Sequence, residues 1–278
     1  MGTDSTNVID MKAFRIIYFG FSLLMFSACC ISCGSNDDGG YYKEVKIDDI
    51  YYNIDSSSGF AEVTRNTATI GKNYYGDIII PNSIKYKDNT YIVSSIGHGA
   101  FAGESGVISI RVPSSVEIIE SGAISSCENL VSVTLHDGIK IINDGAFGYC
   151  WSLASITIPK SVSSISSGCF EHCKSLKSIS IPNNIISIDS EAFWGCEALT
   201  KIEIGENVNI ISRNAFTLCT QIKEVYCYAK SIPSTDETSF NSSSINKATL
   251  YVPSGMINEY KSTSPWSGFK EIVALTNQ

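Results

Sequence analysis

The sequence predicts a β-rich solenoid with a cap at each end. Three observations point there. The chain repeats itself every 23 residues over five unbroken copies. Each copy opens on a short apolar–polar–apolar alternation. Each then closes on an aromatic, a cysteine and an aliphatic residue spaced three apart.

The copies run 110–132 (IRVPSSVEIIESGAISSCENLVS), 133–155 (VTLHDGIKIINDGAFGYCWSLAS), 156–178 (ITIPKSVSSISSGCFEHCKSLKS), 179–201 (ISIPNNIISIDSEAFWGCEALTK) and 202–224 (IEIGENVNIISRNAFTLCTQIKE), after a degenerate copy at 87–109. Internal repeats of this length signal stacked units, because one unit cannot bury its apolar face alone. Positions one and three are apolar, as in Ile179 and Ile181, which marks a strand buried on one face. Position four carries Pro113, Pro159 or Pro182, and proline ends a strand because it cannot donate to the ladder. Apolar residues at positions seven and ten, such as Ile185 and Ile188, predict a second short extended segment. The aromatic at position fifteen is Phe101, Phe147, Phe170, Phe193 or Phe216, with Ile124 the exception. Cysteine at eighteen and Leu or Ile at twenty-one follow, and that spacing predicts a tight helical or 3₁₀ turn with a buried inner side. Stacking sets like residues in ladders about 4.8 Å apart.

This pattern resembles the BspA-like leucine-rich repeat, with its run I-x-I-P-x-x-V-x-x-I-x-x-x-A-F-x-x-C-x-x-L. The likeness is strict over 110–224. The flanks resemble the family's ends: IDDIYYNIDSSSGFAEVT (47–64) an opening β segment, ATLYVPSGMINEYKSTSPWSGFKEIVAL (248–275) a closing strand, short helix and aromatic plug. The expected organisation is an export segment (1–33), a flexible tether (34–44), a β-rich N-terminal cap (45–86), a leucine-rich-repeat-like solenoid (87–224) and a C-terminal cap (225–278). The resemblance implies adhesion, with host extracellular-matrix or plasma proteins or other microbes as partners.

The N-terminus reads as a targeting segment and stays outside the fold argument. Lys12 and Arg15 precede an apolar run from Ile16 to Phe26, shorter than the roughly 20 residues a spanning helix needs. FSAC (26–29) and CISC (30–33) both resemble bacterial lipoprotein signal-peptide sites. Cys33 is the preferred lipidated residue and Cys29 the alternative. GSNDDGG after Cys33 resembles the tether of surface lipoproteins of Bacteroides-type bacteria. The expected location is the outer membrane or cell surface, held by lipid alone.

The stretch GAFGYCWSL (145–153) sets a cysteine beside a tryptophan, a setting that invites a nucleophile reading for Cys150. The repeat argues otherwise. Cys127, Cys150, Cys173, Cys196 and Cys219 share one position, and Cys169 stands where other copies have alanine. Such a line offers no tetrahedral zinc site. Ladder side chains running parallel are poorly set for the disulfide torsion, although a disulfide somewhere stays open. A buried small hydrophobe is the favoured reading. His98, His136 and His172 occupy unrelated positions, and no catalytic motif, metal site or cofactor is expected.

The formal charge of −8 disfavours nucleic acid as a partner. Two surfaces are candidate binding sites on a scaffold expected to be monomeric. One is the sheet face at position two: Arg111, Thr134, Thr157, Ser180 and Glu203. The other is the variable turn holding Tyr149, Trp151, His172 and Trp194, since tyrosine and tryptophan are favoured at binding hot spots and the ladder does not need them. A macromolecule, protein or glycan, is the expected ligand, and no enzyme activity is expected.

Overall fold

A computed structural model describes residues 42–66 and 74–275 of the chain. Cys29, Cys33 and the first part of the expected tether lie outside the described residues.

The N-terminal cap begins as an antiparallel meander of β1 (Tyr42–Ile47), β2 (Ile50–Asp55) and β3 (Phe60–Thr64). Tyr42, Lys43 and Glu44, expected in the tether, pair with Asp55, Ile54 and Asn53 and so belong to the cap. Asp48 and Asp49 form the two-residue hairpin turn, both at positive φ (49° and 64°), a conformation Asp tolerates. Two more strands, β4 (Gly76–Ile79) and β5 (Ser83–Tyr86), precede β6 (Asn89–Ile96). β3 pairs with β6 in parallel, and there the meander turns into coils.

Each coil has three sides. The main sheet takes one strand per coil at positions one to three, in parallel register: Ser178–Ile181, Lys201–Ile204 and Glu224–Cys227 align residue for residue at 23-residue spacing. A narrower sheet takes two residues at positions nine and ten, such as Ser187–Ile188 beside Ile210–Ile211. The third side is a corner of hydrogen-bonded turns. There the amides of positions fifteen and seventeen donate to carbonyls of the next coil, as Phe147 to Cys169 at 2.9 Å and Tyr149 to Glu171 at 2.6 Å.

The corner geometry requires two left-handed residues per coil. Position thirteen has φ between 56° and 63° in Gly99, Gly122, Gly145, Gly168, Glu191 and Asn214. Position seventeen is left-handed in Ser126, Tyr149, His172, Gly195 and Leu218. Glycine adopts this region at no steric cost, whereas the others carry a strain of about 1–2 kcal/mol each.

The core is the set of inward ladders. Phe147, Phe170, Phe193, Phe216 and Phe240 stack face to face, with centroids 5.2–5.5 Å apart and planes within 12°. Ile124 interrupts this column, and Tyr74 covers Phe101 on the far side at 4.7 Å. The regular coil continues past residue 224. Phe240 joins the stack, and Thr249–Val252 and Glu271–Ala274 extend the main sheet. Helix α1 (Ile257–Ser262) brings buried Tyr260 against Trp266, which closes the phenylalanine column edge-on.

The coil at 156–178 breaks the pattern. Ile156–Ile158, expected as a strand because ITIP matches the repeat so well, pairs with neither neighbour, and a single bridge from Ser132 to Ser155 remains. The main sheet therefore divides into a part ending at Ser132–Thr134 and a part starting at Ser178. The narrow sheet divides at this coil's interface with the one before, between Ile141–Ile142 and Ser164–Ile165. Elsewhere the amide at position eleven donates to the position-ten carbonyl of the previous coil, as Asp189 does to Ile165. Here the Ser166 hydroxyl donates to Ile142 instead, at 2.6 Å. The corner ladder crosses unbroken, from Gly145, Phe147 and Tyr149 to Ser167, Cys169 and Glu171, and the amides of Ser175 and Lys177 still donate to Trp151 and Ala154.

Candidate functional site: the aromatic corner

Because position seventeen is left-handed, its side chain stands off the core while Phe and Cys on either side point in. Phe147 and Cys150 are wholly buried, and Tyr149 between them is 40% exposed. The same alternation sends Cys173 inward and its neighbour His172 outward, so the His172–Cys173 pair never meets as base and thiol. Tyr149 and His172 stack across the broken interface at 5.0 Å, tilted by 35°. Trp194, one position earlier in its own coil, meets His172 at 5.3 Å and 45°. Gly195 makes room for this column, since a Cβ there would lie 2.5 Å from His172 Nδ1.

A second column runs beside the first at position nineteen: Glu128, Trp151, Lys174 and Glu197. The Lys174 ammonium lies 5.8 Å from the centre of the Trp151 ring and 3.2 Å from a Glu197 carboxylate oxygen. Trp151 is 43% exposed. The Tyr149 hydroxyl donates to Glu171 at 2.6 Å, and this bond to a carboxylate pushes the phenol up to about 12. His172 Nδ1 and Trp194 Nε1 are screened from solvent and find no hydrogen-bond partner among the described residues. Tyr149, His172 and Trp194 are thus brought together, and Trp151 stands in the neighbouring column.

The sheet-face strip is not continuous. Arg111 pairs with Thr134, and Ser180 with Glu203, but Thr157 lies in the unpaired segment between them. Two residues absent from the expected strip extend it. Glu203 is in register with Tyr226, and Tyr226 with Tyr251, whose rings stack at 4.4 Å and 4°. Lys201 bonds Glu203 at 2.7 Å and lies 4.9 Å from the Tyr226 ring centre. Adding one repeat to Glu203 reaches Tyr226, so the period itself held that signal.

All seven described cysteines are free thiols, and all are buried. Each regular one donates its thiol to the position-fifteen carbonyl of the previous coil, at 3.0–3.3 Å. Burial pushes the Cys169, Cys173, Cys196 and Cys219 thiols up, the last to about 12, which suppresses the nucleophilic thiolate. Among the described residues no group of three or more His, Cys, Asp or Glu side chains could hold a metal ion. Nor is any helix there long and apolar enough to cross a membrane.

Parallel coils of 23 residues, a phenylalanine–cysteine core and a variable outer corner define a repeat scaffold. The chain belongs to the BspA type leucine-rich repeat family, whose profile matches residues 48–174 and 140–261 with six copies. In fold it is similar to a leucine-rich repeat protein of T. pallidum, at 22% identity and TM-score 0.59, over 82% of this chain and 98% of that one. It is likewise similar to a leucine-rich cell surface protein of Faecalibacterium prausnitzii, at 21% identity and TM-score 0.54, over 85% of this chain and 73% of that one. No curated protein matches the chain. Leucine-rich repeat proteins are typically protein-binding scaffolds, and that general role is the one the family supplies.

Proposed function

We propose that the protein is an exported, lipid-tethered surface scaffold that binds macromolecules through the aromatic corner and serves adhesion. The observation that carries the binding reading is the exposure of Tyr149 and Trp151 at positions the coil does not require to be aromatic. Elsewhere the Tyr149 column holds Ser126, Gly195 and Leu218, and the Trp151 column holds Glu128, Lys174 and Glu197. Capture of a matrix-protein panel by Trp151→Ala and Trp194→Ala, with folding checked by circular dichroism, tests it. Capture equal to that of the unaltered protein removes the corner.

Cys33 is the proposed anchor, ahead of Cys29, because the acidic, Gly/Ser-rich stretch GSNDDGG follows it directly. Palmitate labelling of Cys33→Ser and Cys29→Ser decides between them; label lost only from Cys29→Ser refutes the choice. A glycan-capture role is the second reading. It rests on the half-exposed Trp151 ring, because aromatic faces stack on sugars, and a glycan array run beside the protein panel separates the two.

A further inference from the structure

The corner's charge sets it apart from the rest of the chain. Positions eleven to twenty of the five regular copies carry seven carboxylates against only Lys174 and Arg213. These 50 residues therefore hold −5 of the −8 total. Four of these acids stand at the aromatic columns. Glu171 accepts from Tyr149, Glu191 lies close enough to raise the same phenol, and Glu197 holds Lys174. Glu128 occupies the Trp151 position one coil back, exposed.

We propose that this corner recognises a cationic segment of a partner protein, seating lysine or arginine side chains against Trp151 and Tyr149 with the surrounding carboxylates as counter-charges. This rests on the reading of the corner as the binding surface and adds the chemistry of the partner. The protein already displays the interaction on itself. Lys174 places its ammonium near the Trp151 ring and salt-bridges Glu197, so ring and carboxylate together form a seat of the right dimensions for an alkylammonium. A cation beside an indole is attracted by the ring quadrupole, and guanidinium, being weakly hydrated, exchanges into such a seat more readily than ammonium. An incoming arginine displaces Lys174 rather than requiring an empty pocket. A neutral glycan would use the rings and leave the concentrated negative charge unused, so the charge favours the cationic partner.

The test is titration of the full chain in detergent with an oligo-arginine peptide, followed by calorimetry and tryptophan fluorescence. Trp266 is fully buried and serves as a constant background. Saturable binding is expected, weakened about tenfold by Trp151→Ala and by the Glu128→Gln/Glu191→Gln pair, a loss in the range of one desolvated cation–π or charge contact. It also weakens as salt rises from about 0.05 to about 0.5 M. Lys174→Gln should tighten binding, because it removes the competing cation, an outcome that a merely structural role for Lys174 does not produce. Oligo-arginine binding that is unchanged in Trp151→Ala, or weakened by Lys174→Gln, overturns the proposal. A neutral oligosaccharide that perturbs Trp151 while oligo-arginine does not also overturns it, and leaves the corner standing as a binding surface.

Discussion

Cys173 donates its thiol to the carbonyl oxygen of Phe147, 26 residues earlier, at 3.3 Å. The same carbonyl accepts the Cys150 amide within its own coil, at 3.4 Å. The corner ladder uses the amide of position fifteen and leaves its carbonyl facing the core. The cysteine therefore fills space and also satisfies a buried acceptor that the backbone serves only weakly. Cys196→Ala, which removes the bond to Phe170 and the sulfur volume together, should cost about 2 kcal/mol in urea unfolding. Cys196→Val keeps most of the volume and should recover about half of that loss. Equal stability of Cys196→Ala and the unaltered protein would rule out the hydrogen-bonding role.

The left-handed position thirteen predicts opposite outcomes for replacing a glycine and for introducing one. Gly145 sits at φ 61° with nothing within 4 Å of an added Cβ, so Gly145→Ala carries backbone strain alone. Its cost should be about 1–2 kcal/mol. Glu191 occupies the same position at φ 63°, and Glu191→Gly should stabilise the protein by up to about 1 kcal/mol. A melting temperature that falls in Glu191→Gly would show that its side-chain interactions outweigh the strain.

The ladders were legible because identical residue types recur at a fixed period, and burial selects them one coil at a time. What depends on two coils together was not. ITIP at 156–159 is as good a strand start as ISIP at 179–182, yet only the second pairs, with the coil that follows it. Tyr251 escaped for a related reason: strand register sets it beside Tyr226, off the 23-residue period that reaches Tyr226 from Glu203. In the corner, Ser, Tyr, His, Gly and Leu share position seventeen, so no composition announces that its backbone is left-handed and its side chain turned outward.

The broken interface should be visible in hydrogen exchange. Ile186 and Asp189 donate their amides to Ser163 and Ile165, whereas the corresponding bonds from Ser163 to Lys140 and from Ser166 to Ile142 are not formed by the backbone. The Ser163 and Ser166 amides should exchange faster than those of Ile186 and Asp189, since exchange follows local opening. Tyr149 and Phe147, in the unbroken corner ladder, should stay protected. Uniform protection across all six amides of the narrow sheet and corner would mean that the narrow sheet is continuous in solution.

Glu62 gives the protein a pH dependence of defined sign. Its carboxyl lies beneath Gly97, where a Cβ would come within 2.7 Å of it, and Ser95 donates to it at 3.2 Å. Burial raises its pKa, while hydrogen bonds from Asn53 and Ser95 oppose the shift and Glu120 adds to it. The folded protein therefore holds this proton more tightly than the unfolded chain. By linkage, its contribution to stability is fully present below the unfolded carboxyl value of about 4.3 and is lost as pH rises through the folded value. Glu62→Gln cannot ionise and still offers an acceptor to Ser95. The variant should be more stable than the unaltered protein at about pH 7, and the gap should close as pH falls towards about 4. Urea midpoints measured across that range decide it: a gap that is constant with pH, or of opposite sign at neutrality, would mean that the hydrogen bonds to the carboxylate outweigh its burial.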